Sequence, residues 1–160
     1  MPCGQPLRRP AAPLLTVLAV SSALLLAACS RPVEVDAPAS PAPDAAAACA
    51  AFTAALPTEL PTVGERRDVT PQSDLTAAYG DPPVGVRCGI PEPAALEPTS
   101  TLVTVDGIDW LPEQLTDGWR LTSIGRTANV EITVPTERGP APSVAADLAP
   151  TISATLPAAT

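Results

Sequence analysis

The run Leu26-Ala27-Ala28-Cys29 decides which residues fold at all, and in what chemical surroundings. Arg8 and Arg9 precede an apolar stretch from Ala11 to Ala28, interrupted at Pro13. A basic start, an apolar middle and small residues at the cut make a secretory signal. A cysteine directly after the cut is the bacterial lipobox pattern, in which the thiol takes a diacylglyceryl group and becomes the new N-terminus. The expectation is that residues 1–28 are removed and that Cys29 is lipidated, with palmitate-type acyl chains. One acyl chain holds a protein only marginally, at ~0.8 kcal/mol per buried methylene, and a diacylated cysteine supplies the second chain that stable anchoring needs. The competing reading is an uncleaved membrane helix, but Leu14 to Ala28 is short against the ~20 residues of a span. Cys3 falls in the removed part.

Export then governs the rest of the chain. Cys49 and Cys88 are the only other thiols, and in an oxidising compartment an isolated pair is most simply a disulfide. A redox pair is the alternative, but such pairs usually sit in a Cys-x-x-Cys motif. Closing the 49–88 loop is worth roughly 4 kcal/mol on the chain-entropy model. Residues 29–160 carry 7 Arg against 17 Asp and Glu, a net charge of −10, with neither Lys nor His. Such a surface repels nucleic acid and anionic head groups, so nucleic acid is excluded as a partner. The aromatics are Phe52, Tyr79, Trp110 and Trp119, so the core must come mainly from Val, Leu, Ile and Ala.

Residues 29–44 read as a Pro/Ala-rich tether, with Pro32, Pro38, Pro41 and Pro43 among Ala, Ser and acids. At ~3.1 Å per residue in extended polyproline geometry, such a spacer would hold a domain up to roughly 45 Å from the membrane. Residues 45–160 read as a single domain. Asp44 is a candidate N-cap for a helix from Ala45 to Leu56, stopped by Pro57, with Cys49, Phe52 and Leu56 on one face. Pro57 to Pro83 looks loop-like, with one edge strand over Val63 to Val69. Val84 to Gly89 reads as a short strand.

Thr101 to Leu111 carries the clearest local signal. Asp106-Gly107 favours a two-residue type I′ turn. That turn pairs Val105 with Ile108 and Val103 with Trp110 on one face, and sets Thr104 against Asp109 on the other. Pro112 is expected to end the second strand. A further strand pair covers Trp119 to Ile124 and Val130 to Val134, the latter alternating with Glu131 and Thr133. A last helix would start at a Ser143 cap and present Val144, Leu148, Ile152 and Leu156 on one stripe. Pro150 should kink or break it. The predicted fold is α+β: a small antiparallel sheet of four or five strands with the N- and C-terminal helices packed on one face.

Without His or Lys there is no Ser-His-Asp triad, imidazole metal site or lysine base, so no catalytic motif is recognisable. No phosphate loop or dinucleotide fingerprint is present, and no cofactor or metal is expected. Asp106, Asp109, Glu113 and Asp117 cluster in sequence around Trp110 and Trp119. Carboxylate pairs beside aromatic rings perform glycoside hydrolysis, and oxygen clusters bind Ca²⁺. Asp106 is already explained by its turn, and the spacing is not that of an EF-hand, so solvated surface charge is the simpler reading. Arg126, beside Gly125, suits an anion or a pairing with Glu131. With so few large side chains, no deep pocket is expected.

The blocks Cys49-Ala-Ala-Phe52, Leu56-Pro57, Arg87-Cys88-Gly89 with Pro91, Val105-Asp-Gly-Ile-Asp-Trp110-Leu111, Gly125-Arg126 and Val130-Glu-Ile-Thr-Val-Pro135 occur in that order. Together they resemble an actinobacterial lipoprotein family catalogued as domain of unknown function 3515, over about Ala48 to Leu156. Tyr79 stands where that pattern favours Trp, and Asp106 where it favours Asn; both keep the local physics. The resemblance implies an exported, lipid-anchored protein of a high-GC Gram-positive bacterium. It implies no activity. Its members are often encoded near D-alanine–D-alanine ligase, an association with the cell envelope.

These readings combine into an extracytoplasmic protein, anchored to the outer face of the cytoplasmic membrane. Its expected role is a non-enzymatic binding or accessory module for an envelope protein or cell-wall component, with Arg87, Asp109, Trp110 and Arg126 as the candidate binding surface. The alternative is a hydrolase of cell-wall glycan using Asp109 and Glu113.

Overall fold

A computed structural model describes residues 31–159; the expected signal segment 1–28 and the expected lipidation site Cys29 lie outside the described residues. In chain order the elements are β1 (Val33–Glu34), α1 (Pro43–Ala55), β2 (Glu59–Leu60), β3 (Gly64–Arg67), β4 (Val69–Thr70), β5 (Thr76–Tyr79), β6 (Val84–Ile90), β7 (Val103–Val105), β8 (Ile108–Leu115), β9 (Gly118–Ile124), β10 (Asn129–Pro135) and α2 (Ala141–Thr155). One sheet holds eight strands in the order β2-β3-β5-β6-β10-β9-β8-β7, every neighbouring pair antiparallel. The last four strands form a meander that returns to close β10 against β6.

The sheet is larger than the four or five strands expected. The difference lies in Pro57 to Pro83, where β2, β3 and β5 join the main sheet in a stretch expected to hold one edge strand within a loop. Their sequences hide them. Glu65-Arg66-Arg67 has no apolar alternation, and Thr76-Ala77-Ala78-Tyr79 is mostly small. All four residues of β5 are buried nonetheless, because β5 sits between β3 and β6 and tertiary context overrides weak strand preference. The single strand expected over Val63 to Val69 is divided into β3 and β4.

The hairpin follows its sequence. Asp106 and Gly107 have φ of +48° and +76°, and Val105 faces Ile108 and Val103 faces Trp110 as the type I′ turn requires. Pro112 does not end β8, which runs on to Leu115. In a two-residue hairpin the pair flanking the turn exchanges both hydrogen bonds, and this recurs at every second residue. Position 112 therefore aims its missing N–H past the end of β7 at Val103, and the ladder to β9 loses nothing.

Both helices pack on the face that carries Val84, Val86, Cys88, Val130, Ile132 and Val134. α1 lies against β6, where Cys49 and Cys88 form a fully buried disulfide. Pro43 occupies its first turn, where a missing N–H costs no bond, and Asp44 sits inside that turn instead of capping it. α2 contacts β9, β10 and α1. Val144, Leu148 and Ile152 are buried along it, as is Leu156 just past its end. Ser143 is not its cap, and the helix continues through the exposed Pro150 without a break.

The expected tether is also revised. From Arg31 onward the segment lies on the domain. β1 pairs parallel with β4, Val33 N–H donates to the Asp68 carbonyl at 2.8 Å and Val35 N–H to the Thr70 carbonyl at 3.1 Å. Val35 is buried, and the Asp36 carbonyl accepts from Arg87 Nε at 2.9 Å. Prolines that suit an extended spacer suit an extended docked strand equally well.

Candidate functional site: an apolar groove at one end of the sheet

The four candidate surface residues do not come together. Trp110 faces the helices and is 0% exposed, so it is a core residue and not part of a binding surface. Arg87 and Asp109 lie on the opposite face of the sheet, on strands three places apart, about 14 Å at ~4.8 Å per strand. Arg87 Nη1 donates to Glu131 Oε1 at 2.9 Å, and the Asp109 carboxylate accepts from the Thr104 hydroxyl at 2.6 Å. Arg126 sits in the β9–β10 turn. It donates to the Gly107 carbonyl at 2.9 Å and the Leu156 carbonyl at 3.4 Å, so it clips the hairpin tip to the end of α2 instead of pairing with Glu131.

Asp109 and Glu113 share a face, but four residues along one strand separate their Cα atoms by about 13 Å. Their side chains also lean apart. Asp109 engages Thr104 on β7, while Glu113 lies 3.9 Å from Arg120 on β9, the opposite neighbour of β8. The pair lacks the ~5–9.5 Å carboxyl spacing that glycoside hydrolysis uses.

The mid-sheet charges satisfy one another. The buried Glu131 carboxylate takes Arg87 at 2.9 Å and Arg120 at 3.4 Å. Arg67 and Arg138 are occupied with backbone carbonyls, of Gly80 and Arg31 for the first and of Asp81 and Val63 for the second. Among the described residues no cluster of three metal-ligating side chains occurs, and no helix is long and apolar enough to cross a membrane.

What is left unsatisfied is apolar. Trp119 and Val103 are the large hydrophobic side chains that stand exposed among the described residues, at 41% and 37%. Both point to the helix face. Trp119 lies opposite Gln114 and Val134 at the start of β9, and Val103 opposite Trp110. With Pro112 and Leu121 below, and Pro140 and Pro142 at the start of α2 as a wall, they line an open groove of about 360 Å³. Almost no polar group reaches it. Proline at the head of α2 contributes to this, because it presents ring carbons where other residues would present N–H donors.

The sequence brackets Trp110 and Trp119 together as aromatic platforms and does not tell them apart, since each stands at an inward position of its strand. Which one is covered depends on where α2 begins. It forms only one wall beside Trp119, while Trp110 joins the closed core.

Comparison with curated proteins and with solved structures yields no match to this chain. The family model described as "Protein of unknown function (DUF3515)" matches residues 10–160, a span that contains the Ala48 to Leu156 blocks, and the chain belongs to that family.

Proposed function

We propose that the protein is exported and held by an acylated Cys29 at the outer face of the cytoplasmic membrane of an actinobacterium. There its domain serves as a non-enzymatic binding or accessory module of the cell envelope, contacting an envelope protein, cell-wall component or lipid through the Trp119 groove. The observation that carries this reading is the buried Cys49–Cys88 bridge in a chain that opens with Arg8, Arg9, an apolar run and Leu26-Ala-Ala-Cys29. Structural disulfides persist in oxidising compartments, so the bridge and the leader support the same address. The role of the groove rests on a contrast: the arginines at mid-sheet and at the sheet end make intramolecular bonds, whereas Trp119 and Val103 have no cover.

Intact-mass analysis of protein from its native host tests the address. The expected mature chain starts at Cys29 with two or more acyl chains; an intact Met1 or an unacylated start refutes it. Incubation with purified cell-wall glycan tests the second half. Release of soluble sugar that disappears in Asp109→Asn or Glu113→Gln would make the protein a hydrolase.

A further inference from the structure

The N-terminal segment leaves the domain at the same end as the groove. Arg67 donates through Nη2 to the Arg31 carbonyl at 3.0 Å and through Nη1 to the Gly80 carbonyl at 2.8 Å. Arg31 is thereby held beside the turn that joins β5 to β6. Arg138 ties that turn to the groove. It donates to the Asp81 carbonyl at 3.1 Å and to the Val63 carbonyl, and its chain neighbours Gly139 and Pro140 line the groove. The sheet register agrees, since Tyr79 pairs with Val84 and Pro135 with Gly118, which sets the end of β5, the start of β6, the end of β10 and the start of β9 at one edge.

Only Ser30 separates Arg31 from Cys29, so at most about 7 Å of chain lies between their Cα atoms. Because Val33 and Val35 are bonded to the domain, no free spacer remains to lift it. We infer that the Trp119 groove is a membrane-docking surface whose occupant is phospholipid at the bilayer interface. The inference rests on the anchoring of Cys29 proposed above. An acylated Cys29 sits at the head-group level, and the end of the domain that carries Arg31 must lie there with it. Trp119 lies at the same end of the sheet but on its helix face, about four strand spacings or roughly 19 Å across from β3, whereas the docked segment runs over the opposite face. Tryptophan is the side chain that favours the lipid–water boundary, with its ring in the apolar region and its N–H in the wet one. Glu65, Asp81, Asp117 and Glu137 offset Arg31, Arg67 and Arg138 at this end, so attraction to anionic head groups does not drive the contact. Covalent anchoring supplies the local concentration, and the apolar groove supplies the orientation.

The two tryptophans make the test direct. The complete acylated protein is purified from native membranes and its acyl mass verified. It is then placed in phosphatidylethanolamine–phosphatidylglycerol vesicles, with and without acyl-brominated phospholipid, which quenches tryptophans it touches. Trp110 is sealed in the core and serves as the internal reference. The expected result is loss of the Trp119 share of the emission in brominated vesicles, and no loss in Trp119→Phe, whose unchanged Trp110 emission reports an intact fold. Acylated protein with unquenched emission overturns the docking and leaves the anchoring standing. Unquenched emission with a concentration-dependent dimer overturns it in favour of a second copy. A chain without acyl mass overturns the anchoring and the docking together.

Discussion

Glu131 is a polar position on an alternating strand, and the alternation of Val130, Ile132 and Val134 assigns it to the outer face. Its burial is not legible there, because it comes from Arg87 and Arg120 on the two flanking strands together with the docked segment above them. Glu131→Gln keeps the shape and removes the charge that both guanidiniums share. It should cost about 1–3 kcal/mol, below the full penalty of an enclosed pair because both arginines are partly exposed. Glu113→Gln, 3.9 Å from Arg120 at the surface, should cost under about 1 kcal/mol. Urea unfolding of the two variants checks the contrast. Tyr79 offers a second test of a single residue. Burial pushes its hydroxyl above the ordinary value of 10.0, partly offset by Arg66, and the O–H donates to the Pro57 carbonyl at 2.8 Å. Below that ordinary value both folded and unfolded chains keep the proton, and the contribution is intact. As pH rises through it, the unfolded chain loses the proton first, so stability falls until the folded group also ionises. With one Tyr, no Lys and Cys49 and Cys88 bridged, this alkaline slope should vanish in Tyr79→Phe, read by thermal unfolding across alkaline pH.

Elements whose signal is local were legible, and those that borrow their structure from neighbours were not. The hairpin was fixed to the residue because Asp106-Gly107 and the flanking alternation both act within ten residues of chain. β2 and β5 were not, since nothing in Glu59-Leu60 or Thr76-Ala77-Ala78 prefers a strand until β3 and β6 offer their free edges. Helix positions are legible but helix starts shift by a few residues, because Pro43 and Pro142 fill first-turn positions and neither helix has a polar side-chain cap. Glycine substitutions separate the two kinds of element. A Cβ at Gly107 meets nothing within 4 Å, so Gly107→Ala bears only the left-handed backbone cost of about 1–2 kcal/mol. A Cβ at Gly80, also at positive φ, would run into the Val63 carbonyl and the Arg138 guanidinium. Gly80→Ala should therefore lose more stability than Gly107→Ala in the same thermal-unfolding series and loosen the turn that joins the sheet end to Arg138.

At the scale of the molecule, the candidate site was half legible: both tryptophans stand out in the sequence, but the groove exists only where α2 starts, the β8–β9 end and the neighbouring strands meet. The covalent frame was fully legible, since two distant thiols behind a secretory-type leader leave one simple pairing. Cys49→Ser with Cys88→Ser should lower stability by about 2–4 kcal/mol, measured by urea unfolding, because the bridge restrains a long loop of the unfolded chain. The strap from Arg31 to Asp36 is the feature on which the whole arrangement turns. Its two ladder bonds, the Arg31 and Asp36 carbonyls held by Arg67 and Arg87, and one buried apolar side chain, Val35, distinguish a docked strand from the free spacer its prolines suggest. Val35→Asp places a charge in that apolar seat, and the strap should come away at a cost of about 1–3 kcal/mol while the disulfide-bonded body stays folded. Hydrogen exchange gives the measurement. In the wild type the amides of Val33 and Val35 should be protected by the Asp68 and Thr70 carbonyls; in Val35→Asp residues 33–35 should exchange at solvent rates, with Val86 and Ile132 unchanged. Release of the strap also restores roughly 3.1 Å of reach per freed residue. The acylated variant should then lose the lipid contact of Trp119 although neither the groove nor the anchor has been altered. Equal protection in both proteins would mean that Val35 does not hold the strap.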